Sequence, residues 1–526
     1  MNDSAFRPGV IPGSAEPIAV ICPATGEQVA AVPSRSAAEV RALVSTVRSA
    51  QPAWEAGGLA ARVRRLRQLR EWLWENERRL TDLLQAETGR PRQEAALETA
   101  VCADLITYFT RNAERWLRDQ RPRPHNLLTV TKRLVMTRRP YPVVGIVSSW
   151  NFPLFLALCD AVPALLAGAA VVVKPSEFAP LAVRETVRGW REDLAAPEVF
   201  VEATGTGATG EAVVGAVDYV QFTGSVRTGR AVARLAAERL IPCSLELGGK
   251  DAMIVLADAD LERAANAAVW GSMFNSGQVC VSVERLYVED AVYEPFLDLV
   301  VHRVRELRSG SSAAHSTGAT HDVGPIVTGD QLALVKAHVA DAVARGAEIV
   351  MGGRAPEGPG TFYEPTVLTG VDHSMLCMRE ETFGPLLPVM KVSDVDEAVR
   401  LANDSELGLS ATVWTGNRAR GEAIARRLQT GAVNINDVFT NLFALPLPHT
   451  GWKNSGPGSR LGGAAALHKY CRSQAITSPR IAPRRELLWY PYLPRKQQAL
   501  MRALRAITAR GPQRFFPSSA DEGGTR

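Results

Sequence analysis

Between residues 142 and 256 the chain alternates short, mostly apolar runs with stretches of helical character. Val143–Val147 and Ala169–Val173 are two such runs, and each is followed by a segment whose apolar residues recur at helical spacing. Strands that are apolar on both faces and alternate with helices are typical of a parallel sheet covered by helices on both sides. The same alternation of apolar runs and helical stretches begins again at Ala252–Leu256 and continues to about residue 430. The sequence therefore predicts an α/β protein with a doubly wound parallel sheet and a second α/β domain.

Leucines also recur at helical spacing near the N-terminus, from Leu66 to Leu83, with many Arg and Glu between them. This periodicity predicts one surface helix over 59–84. The run Gly89-Arg90-Pro91 is expected to end the helix.

Length and composition indicate a globular protein of several domains, since the 526 residues are 46% hydrophobic and 22% charged. The N-terminus has no signal-peptide pattern, and no apolar run is long enough to predict a membrane-spanning helix. Seven scattered cysteines without a C-x-x-C pair favour free thiols in the cytoplasm, most of them packing residues, and argue against a zinc site.

The net charge of +5 is concentrated at the C-terminus. From Ile481 onward, nine Arg and Lys face three Asp and Glu, a net of +6 that leaves the rest of the chain at −1 (5 − 6). A body of that charge does not favour nucleic-acid binding.

One cysteine and one glutamate carry the strongest chemical signal. Cys280 ends the run Phe274-Asn275-Ser276-Gly277-Gln278-Val279-Cys280, and Glu246 lies 34 residues upstream. A thiol that can become a thiolate, with a carboxylate nearby to move protons, is suited to covalent chemistry on a carbonyl group. The sequence predicts that the two side chains share one site.

Two glycine-containing runs are candidates for a phosphate site. Gly205–Gly210 matches G-x-G-x-x-G after a short strand, but no ribose-binding acid follows about 20 residues later. Gly224–Gly229 follows a strand and opens a helix, whose free N–H groups suit a pyrophosphate. The alternatives are a flexible turn for the first run and an ordinary helix cap by Ser225 for the second.

Taken together, several motifs over residues 20–480 resemble the aldehyde dehydrogenase superfamily, in part its succinate semialdehyde dehydrogenase branch. They occur in consistent order: Trp150-Asn151-Phe152-Pro153, Lys174-Pro175-Ser176-Glu177, Phe222-Thr223-Gly224-Ser225, Leu245-Glu246-Leu247-Gly248-Gly249-Lys250, Gly277-Gln278-Val279-Cys280 and Glu381-Thr382-Phe383-Gly384-Pro385. Six motifs in order over most of the chain make a chance match very improbable.

The resemblance implies a Rossmann-like NAD-binding domain from 1–121 and 142–247, a catalytic domain from 248–430, and a small β arm from 122–141 and 465–482. A basic, aromatic tail would follow from 483–526. The arm implies a homodimer or homotetramer. The resemblance also favours Gly224 and Ser225 over Gly205–Gly210 as the pyrophosphate site.

The resemblance further implies oxidation of an aldehyde to the carboxylic acid, with NAD or NADP as hydride acceptor. Cys280 would attack the aldehyde, while the Asn151 amide and the Cys280 N–H hold the oxyanion. Glu246 would then activate the water that hydrolyses the thioester. A catalytically inactive binding protein on the same fold is the alternative from another class.

Residue by residue, the resemblance also implies a cofactor site. Lys174 would bind the adenine ribose, and the charge of Glu177 would disfavour a 2′-phosphate and so favour NAD. Glu381 would hold the nicotinamide ribose. The full set of cofactor residues is Trp150, Lys174, Ser176, Glu177, Gly224, Ser225, Gly229, Glu381 and Phe383.

For the substrate, the semialdehyde branch carries two arginines at positions that are Phe274 and Cys159 here. An apolar tunnel without these cations favours an aliphatic or aromatic aldehyde, with a semialdehyde as the alternative. The predicted pocket residues are Phe152, Leu156, Cys159, Phe274, Val279 and Val281. His449 replaces an aromatic residue of the family; a solvated loop histidine is favoured over a polar contact with the substrate.

The last forty residues contain an aromatic run, Leu487–Leu493, and a segment that can form a basic amphipathic helix, Arg495–Arg510. Leu500, Leu504 and Ile507 would share one face of that helix. Packing on this subunit or on a neighbouring one is the favoured interpretation. Peripheral contact with an anionic membrane is the alternative.

Overall fold

The computed structural model describes residues 16–310, 321–486 and 488–514. The chain forms two compact units. Residues up to Trp116 together with Pro140–Arg472 make the first, and Leu117–Arg139 together with the residues from Ser473 onward make the second. The boundary between a cofactor domain and a catalytic domain near residue 247 stays a prediction.

The helices of the described residues are α1 Ala37–Ala56, α2 Gly58–Glu75, α3 Glu77–Thr88, α4 Arg92–Leu117, α5 Pro153–Ala167, α6 Leu181–Arg188, α7 Gly207–Val214, α8 Val226–Glu238, α9 Leu261–Met273, α10 Tyr293–Arg305, α11 Gly329–Ala344, α12 Leu376–Arg379, α13 Val395–Asn403, α14 Arg418–Ala425, α15 Thr440–Phe443, α16 Ala464–His468 and α17 Pro494–Thr508.

The strands are β1 Ile18–Ile21, β2 Gln28–Val32, β3 Lys132–Pro140, β4 Val143–Val147, β5 Ala170–Lys174, β6 Phe200–Glu202, β7 Tyr219–Thr223, β8 Cys243–Glu246, β9 Asp251–Val255, β10 Val283–Glu289, β11 Glu348–Met351, β12 Thr366–Thr369, β13 Leu386–Val392, β14 Leu407–Gly408, β15 Ser410–Trp414, β16 Ala432–Ile435, β17 Pro448–Thr450, β18 Trp452–Lys453, β19 Ser459–Leu461 and β20 Cys471–Pro479.

The first unit contains a five-stranded sheet in the order β6-β5-β4-β7-β8, with every pair parallel. β5 is buried along its whole length, as its unbroken apolar sequence requires. The strand order reverses beside β4, so the loops after β4 and β7 diverge and leave a crevice at the carboxyl edge of the sheet. This topology confirms the predicted doubly wound sheet.

A seven-stranded sheet follows in the order β11-β12-β13-β10-β9-β15-β16, parallel except for the β11–β12 pair. Its core packs side chains of β9 and β13, such as Ile254 and Leu386, against Val335 and Val339 of α11. Each fully buried aliphatic side chain of this kind stabilises the fold by about 1.5–3 kcal/mol. The predicted second set of α/β elements is therefore present, and its sheet extends to Ile435.

The second unit contains a two-stranded sheet of β3 and β20, followed by α17. Nearly all side chains of β20 are exposed. None of the described helices in either unit is both long and apolar enough to cross a membrane. The described residues also contain no group of three or more His, Cys, Asp or Glu side chains that could hold a metal ion.

The prediction of one helix over 59–84 is wrong, because the chain breaks into α2 and α3 at Asn76. The backbone of Asn76 leaves the helical region, at φ −107° and ψ 14°, and its side-chain Nδ2 donates to the Trp72 carbonyl. A side-chain amide that bonds to the preceding turn competes with the helical ladder. Gly89, in the left-handed conformation at φ 68°, ends α3 as expected.

Candidate active site

Cys280 follows a tight buried turn between α9 and β10. Asn275, Ser276 and Gly277 are three consecutive residues in the left-handed region, with φ of 50°, 58° and 72°. Gly277 has to be glycine here, since a Cβ would lie 2.0 Å from the carbonyl oxygen of Gly384. Non-glycine residues in this region carry a cost of about 1–3 kcal/mol each, which the surrounding packing must offset. The turn therefore fixes the position of the thiol through the backbone.

Asn151, in the loop after β4, is tied to the same turn by buried hydrogen bonds. Its side-chain Nδ2 donates to the carbonyl of Gln278 at 3.0 Å. Its own carbonyl accepts from the Arg90 guanidinium at 2.6 Å and from the Asn275 amide at 3.0 Å. Arg90 is in turn paired with Glu98 at 2.6 Å, with both side chains buried. The amide of Asn151 is thus held in one orientation beside the cysteine.

A cavity of about 300 Å³ joins the carboxyl edge of the first sheet to this turn. The predicted site residues that line it are Trp150, Asn151, Phe152, Leu156, Gly224, Ser225, Glu246, Val279, Cys280, Glu381 and Phe383. They come from the loops after β4 and β7, the first turn of α5, the end of β8, the turn before β10 and the loop before β13. The structure therefore brings the three predicted catalytic side chains to one space.

Glu246, at the end of β8, is 3% exposed, and neither of its carboxylate oxygens has a hydrogen-bond partner among the described residues. Burial raises the pKa of this carboxyl group to about 7, against the opposing effect of the Arg460 and Lys469 charges. A buried carboxylate with free acceptor positions and a pKa near neutrality has the properties of a general base.

The Cys280 thiol has no such activation in this structure. Burial raises its pKa to about 12, with further contributions from the carboxylates of Asp251, Glu381 and Glu246. Within the described part of the chain the Cys280 N–H donates no backbone hydrogen bond, so this donor is free to bind an oxyanion.

The side of the cavity near β5, β7 and β13 has features that fit a dinucleotide. Lys174 is buried at the end of β5, and its Nζ lies 2.7 Å from Glu177 Oε2. An ammonium beside a carboxylate is a donor and acceptor set that suits the two hydroxyls of a ribose. The rings of Trp150 and Phe383 meet edge to face at 5.5 Å between centroids, and Glu381 accepts from the Gly249 N–H at 3.0 Å.

Of the remaining predicted cofactor residues, Gly224 and Ser225 line the cavity, and Gly229, Lys174, Ser176 and Glu177 lie outside its lining. Ser225 lines the cavity and also caps α8, since its hydroxyl accepts from the Thr228 N–H at 3.3 Å. Gly229 of α8 packs against Leu247, where a Cβ would approach the side chain to 2.6 Å. Lys174 is the last residue of β5, and Ser176 and Glu177 follow that strand.

The aldehyde dehydrogenase family model matches residues 10–476. The chain belongs to the aldehyde dehydrogenase family. It is 40% identical, over 461 residues, to a protein of Mycolicibacterium smegmatis provisionally named succinate-semialdehyde dehydrogenase (NADP+), covering 87% of this chain and 88% of that one. It is also 40% identical, over 484 residues, to the 4,4'-diapolycopene aldehyde oxidase of a Methylomonas species, covering 90% and 88%.

Two solved structures of the family show the same fold. An aldehyde dehydrogenase of Anabaena variabilis named PutA superposes with a TM-score of 0.86 at 37% identity, covering 90% of this chain and all of its own. Lactaldehyde dehydrogenase of Escherichia coli superposes with a TM-score of 0.84 at 33% identity, covering 89% and 96%.

Three predicted pocket residues of this aldehyde dehydrogenase do not line the catalytic cavity. Phe274 lines two neighbouring cavities and stacks on Phe152, with 5.9 Å between ring centroids. Cys159 is buried in α5, and its thiol faces the Leu156 carbonyl at 3.6 Å. Val281 is buried after the cysteine, outside the cavity.

Sequence reasoning missed Arg460, which lines the cavity and is 4% exposed. Its guanidinium is 2.7 Å from Asp160 Oδ2 and donates to the Thr223 hydroxyl at 2.6 Å. Asp160 also accepts from Lys469 at 3.0 Å and from the Tyr470 hydroxyl at 2.6 Å. Burial raises the pKa of Asp160, but these partners outweigh it and hold the pKa at about 2.

A signal for this cluster was present in the sequence. Asp160 is the single charged residue of α5, a helix in which every residue is buried. A buried carboxylate requires a buried cation, although the sequence does not say that the partner lies 300 residues away.

The prediction that His449 is a solvated loop residue is wrong. His449 is 3% exposed, lines the catalytic cavity, and has its Nε2 3.9 Å from Glu246 Oε2. The reason is its place in β17, where it pairs with Arg460 of β19 and so shares that residue's face. Burial lowers the pKa of His449 to about 4, which keeps the imidazole neutral.

Proposed function

We propose that this enzyme oxidises an apolar aldehyde to the carboxylic acid with NAD or NADP, through a thioester on Cys280. The observation that carries the proposal is the shared cavity of the Cys280 thiol, the Asn151 amide and the unpaired, buried carboxylate of Glu246. A nucleophile, an oxyanion donor and a base in one enclosed space are the requirements of acyl chemistry that ends in hydrolysis.

In the first stage the Cys280 sulfur bonds to the aldehyde carbon, the thiol proton passes to solvent water, and the electron pair of the carbonyl bond moves to the aldehyde oxygen, which becomes an oxyanion. The oxygen of the resulting thiohemiacetal is stabilised by the second N–H of the Asn151 amide and by the free Cys280 N–H. The first N–H of Asn151 is already used by the Gln278 carbonyl at 3.0 Å, so the second has a fixed direction. The cofactor supplies a hydride acceptor when bound, and loss of hydride from the aldehyde carbon leaves a thioester.

Glu246 acts mainly in the second stage. With pKa values of about 12 for Cys280 and about 7 for Glu246, transfer of the thiol proton to the carboxylate is uphill in the resting site by about 7 kcal/mol. Removing a proton from water as it attacks the thioester is the better use of this base. Its two unpaired oxygens leave positions at which a water molecule can bind. Hydrolysis releases the acid and restores the thiol.

The cofactor is NAD by preference and NADP as the alternative. Lys174 and Glu177 supply the donor and acceptor for a ribose diol, and the carboxylate would repel a 2′-phosphate. Relatives differ in this respect: the mycobacterial relative carries NADP+ in its name, and an aldehyde dehydrogenase of Sinorhizobium meliloti is described as NAD-dependent. This variation within the family leaves both cofactors to be tested.

The substrate is an apolar aliphatic or aromatic aldehyde. The sequence predicts a cavity without a cation, and this prediction has to be revised because Arg460 lines the cavity. The charge of Arg460 is matched by Asp160, whose Oδ2 is 2.7 Å away. Phe152, Leu156 and Val279 supply apolar wall. The relative named for 4,4'-diapolycopene aldehyde supports this substrate class, and the relatives named for succinate semialdehyde keep a semialdehyde as the second candidate.

The enzyme acts as a homodimer or homotetramer. An exposed ribbon of two strands, such as β3 and β20, is marginal on its own and gains stability by pairing with another chain. A binding protein without activity is the least favoured alternative, since Cys280, Asn151 and Glu246 are all present in one cavity.

The test is a screen for NADH or NADPH formation with hexanal, benzaldehyde and succinate semialdehyde. We expect the highest kcat/KM with one of the two apolar aldehydes, and no activity after Cys280→Ala. Cys243→Ala is the matched control, because Cys243 is a free, half-buried cysteine outside the cavity. Full activity of Cys280→Ala, or a strong preference for succinate semialdehyde, would contradict the mechanism or the substrate class respectively.

A further inference from the structure

The segment 480–514, here called the basic tail, concentrates positive charge outside the catalytic unit. It contains nine Arg and Lys and one acidic residue, Glu486. Glu486 is paired with Lys132. Within the described part of the chain, no ion pair neutralises Arg495, Arg502 or Arg505. The described residues therefore leave these three cations without a matching anion.

Helix α17, inside the basic tail, has two chemically distinct faces. Leu500, Leu504 and Ile507 follow the i, i+4, i+7 spacing of one face, and Arg495, Arg502 and Arg505 lie on the other. The helix has no buried residue, although three side chains on one of its faces are aliphatic. A helix of this pattern without a buried stripe has no apolar partner among the residues that the structure describes.

An exposed aromatic run precedes the helix. Trp489, Tyr490 and Tyr492 are 58%, 77% and 58% exposed. Trp and Tyr side chains with this exposure are favoured at the boundary between water and hydrocarbon, where the ring is in an apolar environment and the polar atom stays hydrated. Leu493 links the run to the apolar face of α17.

We propose that the basic tail binds the surface of an anionic lipid bilayer, with the aromatic run and the apolar face of α17 in the headgroup region. The apolar stripe and aromatic rings require a partly hydrocarbon environment, and the unmatched arginines require negative charge; an anionic bilayer supplies both. This surface goes beyond the aldehyde chemistry and places the enzyme where apolar aldehydes concentrate.

The test uses the full-length protein and vesicles of phosphatidylglycerol with phosphatidylcholine, against vesicles of phosphatidylcholine alone. We expect co-flotation with the anionic vesicles that weakens as NaCl rises from about 0.05 to 0.5 M. The variant Arg495→Glu/Arg502→Glu/Arg505→Glu should bind at least about 100-fold more weakly, since each basic residue near an anionic surface strengthens binding about five-fold.

The matched control is Arg64→Glu/Arg67→Glu/Arg78→Glu, which changes the net charge equally at exposed arginines of α2 and α3. We expect this variant to bind like the unaltered protein. Equal loss in both variants would show that net charge alone drives binding and would overturn the proposal. No vesicle binding would overturn the proposal as well, and a change of oligomeric state in the tail variant would show that the tail is instead a subunit contact.

Oxidation of hexanal separates this proposal from the proposed function. Both arginine variants should oxidise hexanal in solution at the rate of the unaltered protein, since neither set lines the catalytic cavity. Failure of the lipid experiment therefore leaves the aldehyde chemistry intact, and failure of the aldehyde screen leaves the lipid result interpretable.

Discussion

Hydrolysis of the thioester should follow the ionisation of Glu246. Burial raises the pKa of this carboxyl group to about 7. Above that pH the carboxylate accepts a proton from water, and as the pH falls through 7 the group is protonated and loses that ability. The ionised fraction falls from about 0.91 at pH 8 to about 0.09 at pH 6, so deacylation should slow about ten-fold over this range.

The assay avoids the cofactor and measures this step alone. A pulse of p-nitrophenyl acetate acetylates Cys280, and intact-protein mass spectrometry then follows the loss of the acetyl group between pH 5.5 and 8.5. In Glu246→Gln the loss should be slower by about 10²–10⁴-fold and should no longer have a midpoint near pH 7.

Glu94→Gln provides a matched control for this experiment. Burial also raises the pKa of Glu94 to about 7, but the residue is not part of the lining of the Cys280 cavity. The amide oxygen of the introduced glutamine can still accept the hydrogen bond that the Asn275 N–H donates to Glu94 at 3.2 Å. The reasoning is refuted if the midpoint survives in Glu246→Gln, or if Glu94→Gln removes it.

Two further changes test the neighbouring residues. His449→Phe removes a polar group 3.9 Å from the Glu246 carboxylate, so the pKa of Glu246 should rise. The pH midpoint of deacylation should then move up by about one pH unit. An unchanged midpoint in the acetyl-enzyme assay would exclude a role for His449 beside the base. Glu177→Gln should raise kcat/KM with NADP relative to NAD by about five- to ten-fold, because the carboxylate next to Lys174 no longer repels the 2′-phosphate. The measurement is steady-state kinetics with both cofactors. The same NADP-to-NAD ratio as in the unaltered enzyme would argue against this role of Glu177.

The sequence predicts well those parts of the site in which a local motif specifies the backbone conformation. The apolar runs at Val143–Val147 and Ala169–Val173 predict buried parallel strands, and the residues that follow such strands meet at one edge of the sheet. Asn151 and Glu246 reach the cavity for this reason, since each lies at or just after the carboxyl end of a strand.

The parts that the sequence does not predict depend on pairings between distant segments. His449 is buried because β17 pairs with β19, and neither three-residue strand has a pattern that distinguishes it from a loop. Arg460 is placed by Asp160, which is 300 residues away in the chain. The break at Asn76 depends on one side-chain hydrogen bond within an otherwise periodic stretch of leucines.

The high pKa of Cys280 has a consequence for the lifetime of the enzyme. At a pKa of about 12, only about one molecule in 10⁵ carries a thiolate at pH 7. Peroxides react with thiolates far more readily than with thiols, so the idle enzyme keeps its nucleophile in the form that resists irreversible oxidation. Peroxide damage to Cys280 should therefore accumulate during turnover rather than during storage.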